Sequence, residues 1–167
     1  FESNELMIPK IFGNEVKKDI DVASSKPSDR KKWDYESYFS ELQKNVSSEI
    51  FQFSKTLYDK LSKLGDMSFG TGALSGSYSL HFQTKDGEIQ TIMHQRTDGT
   101  INVLSGYFSI HSLSDKYKER ILSEIQNSKL IVSKNWYRID LYPKDIVKED
   151  LDKLINIYED LREDLLK

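Results

Sequence analysis

A chain of 167 residues is long enough for one domain with a single core, and a composition of 31% charged and 37% apolar residues fits a folded globular protein rather than a disordered tail. A net charge of −3 excludes the basic excess carried by a general coat for nucleic acid, so any such contact has to be local. Cysteine is absent, which excludes disulfides, thiolate metal sites and a cysteine nucleophile.

No apolar run reaches the length needed to cross a bilayer, and the N-terminus lacks the basic-then-apolar order of a secretory signal; the expected location is the cytoplasm. The chain starts at Phe1 with FESNELMIPKIF, an apolar patch without a local partner, and then turns polar between Gly13 and Lys32. Residues 1–32 are therefore expected to be the tail of a missing upstream domain followed by a linker, with Lys26, Arg30, Lys31 and Lys32 as a solvated basic cluster. Residues 33–167 are expected to form a single α+β domain.

Asp34 stands at an N-cap position before Tyr35, Tyr38, Phe39 and Leu42, and Ser47 and Ser48 precede Ile50, Phe53, Leu57, Leu61 and Leu64, with Gly65 as the stop. This predicts two short helices or one bent helix, packed by one face onto a sheet. After Gly65 the period changes to two. Tyr78, Leu80 and Phe82 alternate with Ser77, Ser79, His81 and Gln83, and Lys85-Asp86-Gly87 makes a turn. In the next strand Ile89, Thr91 and Met93 are expected on one face and Gln90, Ile92 and His94 on the other. Thr97-Asp98-Gly99 turns the chain into Ile101 and Val103, completing an antiparallel meander.

Ser112 or Ser114 can cap a helix running through Tyr117, Ile121, Leu122 and Ile125. Leu130 to Val132 and Trp136 to Tyr142 read as strands, ended by Pro143, and Val147, Leu151, Leu154, Tyr158, Leu161 and Leu165 mark a last amphipathic helix. Grouped strands argue for an α+β fold: an antiparallel sheet of about four or five strands packed by the N-terminal and C-terminal helices on one face. From Pro143 onward eight acids stand against five bases, whereas Met67 to Tyr142 holds eight bases against seven acids, so the sheet side is the better face for an anion.

The candidate sites follow from that layout. Gly70, Gly72 and Gly76 suit close approach to an anion, but no Gly-Lys-Ser or Gly-Lys-Thr follows and the glycines introduce a strand; a bulged strand start is the plainer reading. His81, His94 and His111 are the only histidines and lack the spacing of a metal site, although His81 and His94 fall on non-core faces of neighbouring strands. Asp66, Asp86 and Glu88-Ile89-Gln90 approach the carboxylate pattern of a Mg²⁺-dependent nuclease, but glutamine stands where the catalytic lysine belongs and Asp86 sits in a turn. Ser75 lacks the glycine two places earlier that a nucleophile elbow requires. Tyr78, Phe82, Tyr107, Phe108, Trp136, Tyr137 and Tyr142, with Arg96, Lys134 and Arg138 nearby, either stack bases on an open sheet or fill the core.

Trp33-Asp34-Tyr35-Glu36-Ser37-Tyr38-Phe39, the run Gly70, Gly72, Gly76 with Ser77, the strand Asp98-Gly99-Thr100-Ile101-Asn102-Val103, and Ile139-Asp140-Leu141 before the last helix span most of residues 33 to 167. In these segments the chain resembles the C-terminal domain of uncharacterised prokaryotic proteins that carry an upstream restriction-endonuclease-like nuclease domain. The resemblance implies that nuclease chemistry belongs to the upstream domain and carries no catalytic residue over to this one. The expected function is a noncatalytic accessory module that binds DNA, RNA or a protein partner, with Gly70, Gly72, His81, His94, Arg96, Lys134 and Arg138 as contact residues. The alternatives are a Mg²⁺-dependent nuclease using Asp86 and Glu88, and a protein-interaction domain whose acidic last helix docks a basic partner.

Overall fold

The computed structural model describes residues 30–104, 108–125, 139–141 and 148–167. In chain order the elements are β1 (Lys31–Lys32), α1 (Tyr35–Asn45), α2 (Ser48–Leu61), β2 (Asp66–Phe69), β3 (Thr71–Gly72), β4 (Ser77–Gln83), β5 (Ile89–Arg96), β6 (Ile101–Val103), α3 (His111–Glu124), β7 (Ile139–Leu141) and α4 (Lys148–Leu165). β2-β4-β5-β6-β7 form a five-stranded antiparallel sheet, and β1 and β3 form a separate two-stranded ribbon.

The N-terminal helices are separate, and each starts at the residue type its sequence provides. The Asp34 carboxylate accepts from the Ser37 amide at 2.8 Å, and the Asp34 amide donates back to Ser37 Oγ at 3.1 Å. That reciprocal pair satisfies two amides that the first turn leaves without helical partners. Val46 is extended and ends α1, after which Ser47 Oγ accepts from the Ile50 amide at 3.4 Å and starts α2. α3 departs from expectation. It begins at His111, Ile110 is its N-cap and supplies no side-chain cap; Ser112 lies inside the first turn and Ser114 is buried.

The meander β4-β5-β6 forms as its alternation predicts, with Gly87 and Gly99 both at φ +86° in the two turns. Left-handed backbone there favours glycine, which has no Cβ to clash with the following carbonyl. β2 and the β1–β3 ribbon have no counterpart in the sequence reading. β2 is four residues long, and β1 draws in Lys31 and Lys32, two residues assigned to the linker. Leu130 to Val132 lie outside the described residues, and of the Trp136 to Tyr142 segment only Ile139, Asp140 and Leu141 are described, as β7.

A bulge corrects the expected faces of β5. Leu80 pairs with Met93 but His81 pairs with Thr91, so Ile92 is the extra residue. Tyr78, Leu80 and Phe82 therefore share a face with Gln95, Met93 and Gln90, while Ser77, Ser79 and His81 share the opposite face with Arg96, His94 and Thr91. Met93, expected beside Thr91, is in the core, and Gln90 and His94 end on opposite faces.

The core lies on one side of the sheet. Tyr78 is fully buried there and meets Tyr38 of α1 and Tyr58 of α2, each with ring centroids 5.1 Å away and edge to face. Tyr158 of α4 is near enough to Tyr78 to oppose its ionisation, so α4 covers the same face as α1 and α2. α4 also packs along α2 and α3 and buries Leu151, Leu154, Ile155, Ile157, Tyr158, Leu161 and Leu165. A polar relay runs through the core: Tyr78 Oη donates to Gln95 Oε1 at 2.8 Å, and Gln95 Nε2 donates to Ser54 Oγ at 2.8 Å and to the Gly99 carbonyl at 3.2 Å. Within the low-dielectric interior such donors and acceptors have to find each other, which ties β4, β5, α2 and the β5–β6 turn together.

Candidate functional site: the open face of the sheet

The face away from the helices carries Asp66 and Ser68 from β2, Ser77, Ser79, His81 and Gln83 from β4, and Ile89, Thr91, His94 and Arg96 from β5. Asn102 of β6 is in register with His94 but is buried, so the accessible part of this face lies on β2, β4 and β5. It is a polar surface with few charges.

At its centre three side chains from three strands are hydrogen bonded in a row. Ser68 Oγ lies 2.6 Å from His81 Nε2, and Thr91 Oγ1 lies 3.1 Å from His81 Nδ1. The imidazole is half-buried, and burial holds its pKa below the ordinary histidine value; the carboxylate of Asp66, directly opposite in the register, works the other way and only in part. At neutral pH His81 is therefore an uncharged imidazole whose two ring nitrogens have opposite roles, one N–H donor and one acceptor. His81 was legible as a surface strand residue; Ser68 and Thr91 were not. The sequence places them 13 and 10 residues away, and only the β2–β4 and β4–β5 registers bring them to its two nitrogens.

Arg96 is half-exposed at the end of β5, with its Nε 3.5 Å from Asp98 Oδ2, and its carbonyl accepts from Tyr38 Oη at 3.2 Å. His94 is half-buried and His111 is exposed on α3. Lys134 and Arg138 lie outside the described residues.

The glycine run has a structural occupation. The Gly70 amide donates to the Ser77 carbonyl at 2.9 Å, the Gly70 carbonyl accepts from the Trp33 amide at 3.2 Å, and the Gly72 carbonyl accepts from Trp33 Nε1 at 3.1 Å. Gly76 donates to Thr97 Oγ1 at 3.3 Å and accepts from the Thr97 amide at 3.0 Å. A Cβ on Gly76 would stand 2.4 Å from the Trp33 ring, so the absence of a side chain is what lets the indole lie against the loop. Lys31 Nζ sits over that ring, 4.3 Å from its centroid.

Asp86 and Glu88 are both exposed in the β4–β5 turn, where the Glu88 amide donates to Thr84 Oγ1 at 3.0 Å. Gln90, the third position of that pattern, is buried on the opposite side, accepting from the amide and hydroxyl of Ser109 at 3.0 Å each. Among the described residues no three metal-binding side chains come together. Tyr78, Phe82 and Phe108 are buried; Tyr107, Trp136, Tyr137 and Tyr142 lie outside the described residues. No helix among the described residues is long and apolar enough to cross a membrane. No family model, curated protein or solved structure matches this chain.

Proposed function

We propose that this chain is an accessory binding module, without phosphodiester chemistry of its own, that presents the β2-β4-β5 face to a protein partner on behalf of a nuclease-type parent. The observation that carries the reading is the character of that face: serine, threonine, histidine and glutamine side chains that donate and accept hydrogen bonds, with little net charge. A nucleic-acid surface draws its affinity from cations that displace counterions and from rings that stack bases. Here Arg96 already faces Asp98, Asp66 contributes a negative charge, and of the described sheet aromatics Tyr78 and Phe82 are buried while half-buried Phe69 packs against Tyr38, Tyr58 and Tyr78. A polar face of this kind suits a polypeptide surface, where directional hydrogen bonds set the register.

Exposed Arg30, Lys31 and Lys32 favour a second reading, local contact with a phosphate backbone next to the Trp33 clasp. Fluorescence anisotropy on single- and double-stranded oligonucleotides at low salt separates the two. The partner-protein reading expects no saturable binding. Saturable binding that weakens with salt and is lost in Arg96→Ala or Lys31→Ala supports the nucleic-acid reading instead. A photo-crosslinker at Ser79 in the parent protein is expected to capture a polypeptide that one placed on exposed Glu159 does not. Plasmid nicking with Mg²⁺ that disappears in Glu88→Ala would restore the nuclease alternative.

A further inference from the structure

The Ser68–His81–Thr91 row is more than a polar ladder, because its members have the roles of an activated nucleophile. A serine hydroxyl is a poor nucleophile until a base beside it takes the proton as the bond forms. His81 Nε2 is 2.6 Å from Ser68 Oγ, within the distance of that transfer. The transfer needs the tautomer with the proton on Nδ1, and Thr91 Oγ1 lies 3.1 Å from Nδ1, placed to accept it and to hold the ring plane. Ser68 is exposed on the accessible part of the face, so an electrophile reaches it from solvent.

We propose that Ser68 is a catalytic nucleophile toward uncharged carboxylic esters with a good leaving group, with His81 as general base and acid and Thr91 as the positioning residue. Ser68 Oγ attacks the carbonyl carbon while its proton passes to His81 Nε2. The ester C–O bond breaks, and the departing alkoxide takes that proton and leaves as the alcohol. Water, losing a proton to His81, then attacks the acyl-serine; the carboxylic acid is released and Ser68 regains its proton. Asp66, opposite His81, and Arg162 of α4, which lines the same cavity as both, balance each other in charge, which suits an uncharged ester. This chemistry goes beyond the binding role and does not depend on it.

The test is labelling of the whole chain with a fluorophosphonate probe, in which a Ser–O–P bond forms and fluoride leaves, followed by peptide mass spectrometry and by hydrolysis of p-nitrophenyl acetate. One adduct on Ser68 is expected, with ester turnover that disappears in Ser68→Ala. His81→Gln is expected to slow labelling by roughly a hundredfold, the usual contribution of a general base. Thr91→Val is expected to slow labelling by a smaller factor. The rate for the unaltered protein should rise with pH as His81 loses its proton, with a midpoint below that of free histidine; Asp66 and His94 on the same face and Arg162 of α4, which lines the same cavity, are its charged or titratable neighbours, and Asp66→Asn should lower that midpoint further. Absence of an adduct, adducts spread over several serines, or labelling equally fast in folded His81→Gln would overturn the proposal. Because the pH profile and Thr91→Val use an intact His81, misfolding of the His81 variant leaves the outcome readable.

Discussion

Tyr158 and Tyr78 are both fully buried aromatic residues of the same core, and they are predicted to respond oppositely to loss of the hydroxyl. The Tyr158 hydroxyl has no hydrogen-bond partner among the described residues, whereas the Tyr78 hydroxyl donates to Gln95 Oε1 at 2.8 Å. An unsatisfied buried polar group carries a desolvation penalty of about 1–3 kcal/mol, and burial accordingly pushes the Tyr158 phenol well above its ordinary pKa. Tyr158→Phe removes that penalty and keeps the ring, at the expense of a void the size of one oxygen, so a net stabilisation of about 1 kcal/mol is expected. In a domain of this size that raises Tm by about 2–4 °C. Tyr78→Phe leaves Gln95 Oε1 in the core without the phenol and costs about 1–3 kcal/mol. The assay is urea denaturation followed by far-ultraviolet circular dichroism, with equal m-values as the check that the denatured state is unchanged. A Tyr158→Phe protein less stable than the parent by more than about 0.5 kcal/mol would refute the reasoning, because it would mean that the hydroxyl is bonded, for instance to a buried water.

Gly76→Ala places a methyl 2.4 Å from the Trp33 ring; loss of about 1–3 kcal/mol and a red shift of tryptophan emission are expected as the indole leaves the loop. Asp164 accepts from Lys116 at 2.6 Å, Lys167 at 2.8 Å and Tyr117 at 2.8 Å, and these bonds hold its carboxyl well below the ordinary carboxylate range. A depressed carboxylate contributes stability that is present above its unfolded pKa and is lost as pH falls through the folded value. Asp164→Asn should therefore lose about 1 kcal/mol at neutral pH, less at high salt, and should show a shallower acid limb in denaturation midpoints below about pH 4. His81 is also depressed, but as a base: below the ordinary histidine value the unfolded chain takes up a proton that the folded imidazole resists, so stability falls as pH drops through that window. Denaturation midpoints measured from about pH 7 to pH 5 should fall less in His81→Gln than in the unaltered protein.

Local chemistry made much of the architecture readable. Asp34 and Ser47 start helices because their side chains answer the free amides of the first turn, and Gly87 and Gly99 turn the chain because both positions need left-handed backbone. The apolar steps from Leu151 to Leu165 are strong enough to identify α4 without a partner in view. β2, β1 and β3 were hidden for the opposite reason. These three are two to four residues long and lie beside helix ends and glycine-rich turns, and they exist because a neighbour supplies the other half of each hydrogen-bond ladder.

The same division separates the candidate sites. The glycines at 70, 72 and 76 look like an anion loop in one dimension, and in three they are the floor on which Trp33 lies, 37 or more residues earlier in the chain. His81 was visible as a polar strand residue, but its environment depends on one bulge at Ile92 and on two antiparallel registers, because a one-residue slip in a strand exchanges its faces. The sequence by itself determined the α+β class, the central meander and most of the helices, since caps, turns and apolar periods are local properties. Only the tertiary structure decided that Ser68, His81 and Thr91 meet, that the sheet aromatics described belong to the core, and that Gln90 turns inward, because each depends on which strands pair and in which register.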